Sequence, residues 1–327
     1  MFGKGELGIT LNNFACCGST YTLTPEGYDM DQIKYINALK PITDSEAIGK
    51  PEDEIYIPYV AKLYLSLLMA LAYSLMTRFD LHVFCIALQR HLQKPTYGHI
   101  KKLNTLVRWA QKHPAKLTYR KRICQRKLEI HSDAGFRRDV SEDAEVDGKS
   151  IRGINVFRLG QQTGKSILCH LIDVLVRAVK VVVRSTFTAE AHGVIGAFDL
   201  GIVLATTFHE VQLGPLSLTE SKRLTDEAGL CFDIECVTDA KNILLALQNA
   251  NIKNPAEKNF LVHLLWLKCK LTTGVVKRLT WCDTRDQTAD GHTKGSISRA
   301  VIHSCMTGNL VIDFPRESLE LYNPRAN

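Results

Sequence analysis

The sequence predicts an α/β fold in its C-terminal two-thirds, preceded by a mainly helical segment. Apolar residues recur at helical spacing over residues 58–112, whereas from about Lys127 alternating strand patterns take over, separated by helices. The predicted order after Lys127 is three strands, a helix, a strand, helices, a strand and a helix. A length of 327 residues, with 45% hydrophobic and 23% charged residues, is typical of a globular chain of about two domains.

Residues 1 to about 45 are predicted to form short strands and turns. Leu7, Ile9 and Leu11 alternate with polar or small residues, as they would in a strand. Residues 29–39 are predicted as one short helix.

Three helices are predicted in the next segment, over residues 58–76, 79–92 and 97–110. Pro58 suits a first helical turn. The most apolar stretch contains Lys62 and is shorter than the ~20 residues that a membrane span needs. We therefore expect a buried core helix and no membrane partner.

Residues 81–128 contain no Asp or Glu but many basic side chains. Charge of one sign over such a length favours a polyanion as partner. The expected nucleic-acid-binding residues are Arg90, Lys94, Lys101, Lys102, Arg108, Lys112, Arg120, Lys121 and Arg122. The alternative is a solvated helix face whose counter-charges lie elsewhere in the fold.

The chain has ten cysteines, none in the C-x-x-C spacing of common zinc sites. No apolar run follows Met1, so a signal peptide is not expected. These features favour reduced thiols in an intracellular protein, without distinguishing cytoplasm from nucleus. The oligomeric state is not predicted.

The C-terminal elements begin with a strand that has two different faces. Leu128 and Ile130 share one face, and Glu129, His131 and Asp133 share the other. Further strands or helices are predicted over residues 151–159, 166–183, 230–237, 240–248, 257–271 and 275–281, with a helix that begins at Ser185-Thr186. Residues 166–183 fit either a strand with flanking turns or a helix.

Four acidic residues lie where these elements begin or end. Asp133 ends the first strand, Glu190 lies in the first turn of a helix, Asp239 follows a strand, and Asp290 follows the last strand. Strand ends and helix starts at one edge of a sheet can converge, and clustered carboxylates favour hard cations such as Mg²⁺. Taken singly, each acid is better explained by capping, by the helix dipole or by surface charge.

Several short motifs occur in the order of a known family. They include His131-Ser132-Asp133, Thr188-Ala189-Glu190, and Ala289-Asp290 with Thr293-Lys294. The chain resembles the C-terminal part of a copia-type LTR-retrotransposon Pol polyprotein, from the end of the reverse transcriptase into the ribonuclease H domain. The matching stretches are residues 5–9, 59–80, 94–96, 99–109, 117–119, 131–136, 184–190, 238–239 and 287–294.

The resemblance implies a ribonuclease H-like mixed five-stranded sheet with flanking helices. It divides the chain into a remnant of the polymerase palm and thumb end (1–50), a basic, helical thumb- or connection-like segment (51–122), a ribonuclease H-like domain (123–315) and a tail (316–327).

The activity that the resemblance implies is cleavage of the RNA strand of an RNA–DNA hybrid. Asp133, Glu190, Asp239 and Asp290 would be the catalytic residues and the ligands of two Mg²⁺ ions, with Mn²⁺ as an alternative metal. The expected partners are the hybrid or another nucleic acid, and the remainder of a Pol polyprotein.

Departures from the family pattern leave a second function open. The chain has no equivalent of the polymerase's paired-aspartate motif, so DNA synthesis by this chain alone is not expected. Ala240 and Ala191 replace the usual Asn and Tyr beside the acids. The alternative is therefore an inactive retroelement fragment that acts at most as a nucleic-acid-binding module.

A third class, the nucleotide-binding P-loop proteins, is suggested by residues 160–166. That segment has three residues between its glycines where the motif needs four. A turn between two strands is the preferred interpretation.

Overall fold

The structure is a computed structural model, and it describes residues 13–45, 49–55, 57–121, 125–135, 150–179, 183, 185–249 and 260–322. The predicted strand at Leu7 to Leu11 and the predicted ligand Arg122 lie outside the described residues. The chain divides into two compact units, residues 1–121 with 306–308 and residues 122–305 with 309–327.

Unit 1 combines a small sheet with a group of helices. Its elements are β1 (Asn13–Cys16), β2 (Ser19–Thr24), β3 (Gly27–Asp31), α1 (Ile33–Ala38), α2 (Pro58–Tyr73), α3 (His82–Gln89), α4 (Tyr97–Lys112) and β4 (Leu117–Arg120). Short 3-10 turns at Ser74–Met76 and Phe79–Leu81 connect α2 to α3.

The four strands of unit 1 form an antiparallel sheet in the order β1-β2-β3-β4. The prediction of one helix over residues 29–39 is wrong in its first part, because Asp29 lies in β3 and pairs with Thr118 of β4. Thr118 Oγ1 donates a hydrogen bond of 2.8 Å to Asp29 Oδ1, and Lys116 forms an ion pair with the same carboxylate. These partners lie about ninety residues away in the chain, so local spacing does not reveal them.

The helices of unit 1 enclose their own apolar core. Leu68 of α2 and Leu103 of α4 are fully buried in it. The Asn104 side chain exchanges two hydrogen bonds of 2.8 Å with the backbone of Ile42. The predicted segments 1–50 and 51–122 lie, up to residue 121, within one compact unit.

Two helical stretches in the described part of the chain are long and apolar enough to cross a membrane by length and composition alone. They are Pro58–Met76 and Thr186–Leu213. Of the most apolar window, 33% is buried inside the fold in the first stretch and 44% in the second.

The second unit contains a mixed sheet with flanking helices. Its elements, taken from residue 127 onward, are β5 (Lys127–Gly135), β6 (Ile151–Thr163), β7 (Ser166–Ala178), α5 (Thr186–Leu213), α6 (Leu218–Asp226), β8 (Asp233–Thr238), α7 (Lys241–Gln248), α8 (Phe260–Thr272), β9 (Arg278–Trp281), α9 (Asp290–Thr293), α10 (Ala300–Met306), β10 (Asn309–Val311) and β11 (Glu317–Leu319).

The sheet order is β10-β7-β6-β5-β8-β9-β11. The strand β5 is antiparallel to β6 and parallel to β8, and β8 is parallel to β9. The described sheet thus has seven strands where five were predicted. The two additional strands are edge strands of three residues each, too short to show alternation in the sequence. One of them, β11, lies in the predicted tail and pairs with β9.

A single long helix, α5, packs across the centre of this sheet. Leu128 and Ile130 face it in a buried core together with Val194 and Phe198. A Cβ atom at Gly201 would lie 2.4 Å from Ile130 Cδ1, so glycine at this position permits the close approach of helix and sheet. This approach fixes the position of the first turn of α5 relative to β5.

The suggested P-loop at residues 160–166 is the turn of a hairpin. Thr163 of β6 pairs directly with Ser166 of β7, and Gly164 adopts a φ of +60°. A strand follows the segment where a P-loop requires a helix, so the structure confirms the turn.

Candidate metal centre

Three elements bring the predicted acidic residues to one edge of the sheet. Asp133 lies near the end of β5, on the strand face opposite Leu128 and Ile130. Asp239 directly follows β8, which runs parallel to β5, so the carboxyl ends of the two strands lie at the same edge.

Glu190 reaches the same edge from the first turns of α5. Ser185 caps this helix, and its Oγ accepts a hydrogen bond of 3.1 Å from the Thr188 backbone. Glu190 Oε2 accepts a longer hydrogen bond, 3.3 Å, from the backbone N–H of Ala134, the residue after Asp133.

Three of the four predicted ligands converge. One carboxylate oxygen each from Asp133, Glu190 and Asp239 lies within 4.8 Å of the other two, and this is the candidate group for a metal among the described residues. Thr284 Oγ1 donates a hydrogen bond of 3.0 Å to Asp239 Oδ2 and fixes that carboxylate. Oxygen-only ligands at these separations fit a hard divalent cation.

The fourth predicted ligand, Asp290, lies beside Asp133 but outside the group of three. It begins the single-turn helix α9, and its Oδ1 is 2.8 Å from the ammonium of Lys294. The same ammonium is 4.0 Å from Asp133 Oδ2. The structure therefore places Asp290 in an ion pair, next to rather than within the candidate group.

Burial and mutual repulsion raise the pKa values of the three clustered acids. Burial, together with the charges of Asp133 and Asp239, raises the pKa of Glu190 to about 8. Burial and the neighbouring Asp290 raise the pKa of Asp133 to about 6. The pKa of Asp239 is raised as well, by burial and by Asp133. The three carboxylates resist being ionised at the same time. A divalent cation bound between them would stabilise their charged forms.

This electrostatic cost predicts a pH dependence in metal-free buffer. Between about pH 5 and pH 8 the folded protein holds more protons on Glu190 and Asp133 than the unfolded chain does, so the free energy of unfolding falls as pH rises. In the Glu190→Gln variant, the free energy of unfolding should fall less steeply as pH rises. Thermal midpoints of both proteins, measured in EDTA across this range, test the expectation. Identical slopes of the thermal midpoint against pH for the wild type and the variant would contradict this expectation.

A buried polar layer supports α9 against the sheet. Asn155 of β6 is paired with His131 of β5 and is 1% exposed. Its Nδ2 donates a hydrogen bond of 3.0 Å to Thr288 Oγ1, and its Oδ1 lies 2.7 Å from His292 Nε2. Gly153 lets the two elements approach, since a Cβ there would lie 2.7 Å from His292 Cβ.

Sequence reasoning missed Asn155 and His292. The available signal was an amide residue within the apolar run Ile154-Asn155-Val156-Phe157, because a buried polar side chain needs a specific partner. Asn155 thus positions the helical turn that carries Asp290 and Lys294.

Replacing Asn155 with Leu should destabilise the protein by about 1–3 kcal/mol, because buried polar groups of Thr288 and His292 lose a partner. Urea denaturation measures the change. The surface variant Asn249→Leu is the matched control, since the exposed Asn249 amide donates a hydrogen bond to the Leu245 carbonyl at the C-terminal end of α7. Equal stability of the two variants would contradict the positioning role of Asn155.

Some of the predicted nucleic-acid-binding residues have partners within the fold. Lys101 forms an ion pair of 2.6 Å with Glu52, Arg120 pairs with Glu26, and Lys121 Nζ donates to the Pro25 carbonyl at 3.2 Å. Some counter-charges of the acid-free stretch therefore do lie elsewhere in the fold. The exposed cations of α4 are Lys101, Lys102, Arg108 and Lys112, while Arg90 is half-buried and Lys94 is exposed.

The chain matches no protein-family model, and no curated protein sequence matches it. A functional conclusion consequently depends on the geometry and chemistry of the site.

Proposed function

We propose that this protein is a nuclease of the ribonuclease H type, which cleaves the RNA strand of an RNA–DNA hybrid as part of a retrotransposon Pol polyprotein. The observation that carries the proposal is the convergence of Asp133, Glu190 and Asp239 within 4.8 Å at one edge of a mixed sheet. The five central strands, three antiparallel and then two parallel, agree with the sheet that the family resemblance implies.

The side chains suit Mg²⁺, with Mn²⁺ as the alternative. Asp133, Glu190 and Asp239 offer only oxygen ligands, and no thiol or imidazole belongs to the candidate group. When bound, such ions activate a water molecule and stabilise the leaving oxygen of a phosphodiester.

The chain's own residues orient and shield this centre. Thr284 and Thr293 donate hydrogen bonds to the carboxylates of Asp239 and Asp133, which holds the ligands in place. Asp133 is 2% exposed, so bulk water has little access to its carboxylate. The arrangement needs no nucleophilic side chain, which is the expected division of roles in metal-dependent phosphodiester hydrolysis.

The test is a cleavage assay on the purified full chain. An RNA–DNA hybrid is labelled at the end of one strand or the other and incubated with Mg²⁺ or with EDTA. The proposal predicts metal-dependent cutting of the RNA strand alone. Cutting of both strands, or cutting that persists in EDTA, would contradict it.

One observation favours the alternative of an inactive binding module. Asp290 forms an ion pair with Lys294 and is not a member of the group of three acids. In that case the hybrid would bind to the protein in a salt-sensitive manner without being cut.

Binding of the hybrid should weaken steeply with salt, because each phosphate contact releases condensed counterions. Arg108 and Lys112 lie on one exposed stripe of α4, so the Arg108→Ala/Lys112→Ala variant should reduce the log–log salt slope by about 2. Fluorescence anisotropy at several salt concentrations measures the slope. Lys165→Ala is the control, since Lys165 is exposed but pairs with Asp313 at 2.9 Å. An unchanged slope in the double variant would exclude α4 from the interface.

A further inference from the structure

Lys294 is the one residue that contributes a positive charge inside the described acidic centre. It follows α9, where its backbone N–H donates a hydrogen bond of 2.9 Å to the Asp290 carbonyl. Its ammonium then turns back to the Asp290 carboxylate at 2.8 Å and lies 4.0 Å from Asp133 Oδ2. The ammonium therefore contacts Asp290 and lies close to Asp133, which also belongs to the group of three.

The positive charge of Lys294 influences the pKa of each acid of the centre whose pKa is shifted. Lys294 opposes the upward pKa shifts of Asp133, Glu190 and Asp239. Burial disfavours its own charge, but Asp133, Asp290 and Asp239 outweigh that effect and raise the pKa of Lys294. With its ammonium 2.8 Å from Asp290 and 4.0 Å from Asp133, Lys294 is an internal counter-ion of the centre.

We infer that Lys294 holds one of the two cation positions of this centre. The group Asp133, Glu190 and Asp239 takes one divalent ion, and the position between Asp133 and Asp290 is closed to a second ion until the ammonium moves away. The inference deepens the proposed function, because it rests on the metal centre proposed there.

The Lys294 side chain can change its conformation more readily than the two acids it contacts. Lys294 is 41% exposed, whereas the carboxylates of Asp133 and Asp290 are 2% and 8% exposed. A four-carbon stem with free rotation lets the ammonium leave toward solvent while the two acids stay in place. Asp133 has a further partner besides Lys294, because Thr293 Oγ1 donates a hydrogen bond to its carboxylate.

The test counts Mn²⁺ ions bound to the full chain without nucleic acid, by titration calorimetry and by the electron paramagnetic resonance signal of free Mn²⁺. The wild type should bind one ion. Lys294→Met removes the ammonium and keeps the aliphatic stem, so a second ion should bind about tenfold or more tightly than to the wild type, because no ammonium then occupies the position between Asp133 and Asp290. Lys294→Arg keeps the charge and should bind one ion.

A double variant identifies where the second ion binds. Lys294→Met/Asp290→Asn should return to one ion, because the second position needs the Asp290 carboxylate. Two ions on the wild type, or one ion on Lys294→Met, would overturn the role of Lys294 and leave the metal centre intact. No ion on any of these proteins would overturn the metal centre itself, and circular dichroism spectra of each variant report whether it is folded.

Discussion

Replacing Asp133 with Asn is expected to reduce cleavage of the RNA strand by a factor on the order of 10⁴ or more, the loss typical of removing one central group of an active site. Asp133 is the acid shared by the group of three and by the Asp290–Lys294 pair, so it takes part in both cation positions. The amide has nearly the same shape but carries no charge. Initial rates with an end-labelled RNA strand measure the effect.

Binding of the hybrid to the Asp133→Asn variant should be unchanged or tighter, because a negative charge near the scissile phosphate is lost. Asp173→Asn is the matched control, since Asp173 is a partly buried acid of β7 that bonds only its neighbour Val174. The control should cleave at the wild-type rate. Equal rates for Asp133→Asn and Asp173→Asn would exclude Asp133 from the reaction.

The second large effect concerns the stability of unit 1. Arg78 and Asp80 form a fully buried ion pair with two parallel hydrogen bonds, of 2.9 Å and 2.8 Å, and Arg78 also donates to the Ala110 carbonyl at 3.0 Å. Asp80→Asn leaves the guanidinium charge buried without its counter-charge. The free energy of unfolding should fall by about 3–5 kcal/mol.

Urea unfolding followed by the fluorescence of Trp109, which lies 5.6 Å from the Arg78 guanidinium, reports on this unit in a background that lacks the other two tryptophans. Arg78→Met/Asp80→Leu is the informative companion, because it removes both charges together. It should be more stable than Asp80→Asn. A loss below about 1 kcal/mol for Asp80→Asn would contradict the importance of this pair.

Periodicity predicted most of the large elements of the fold. The helix α4 matches the helix predicted over residues 97–110, and β5 begins at Lys127, where the strand pattern was predicted to start. Pairings between distant segments were not predictable in this way. β4 joins β3 across the helices of unit 1, and the edge strands β10 and β11 are recognisable only from the strands they pair with.

The candidate site shows the same division between local and distant information. Asp133, Glu190 and Asp239 were predictable because each ends or begins an element at one sheet edge. The ion pair between Asp290 and Lys294 was not predicted, since it depends on how α9 turns. Likewise, the sequence could not show that Glu26 and Glu52 supply counter-charges to Arg120 and Lys101, because those acids lie at least 49 residues away.

The measurement that tests the central claim most directly is the position of Mn²⁺ in crystals of the full chain, located by its anomalous scattering. We predict a peak bounded by Asp133, Glu190 and Asp239, with carboxylate oxygens about 2.0–2.3 Å away. Absence of a peak there at saturating Mn²⁺, with the three side chains well ordered, would contradict the account.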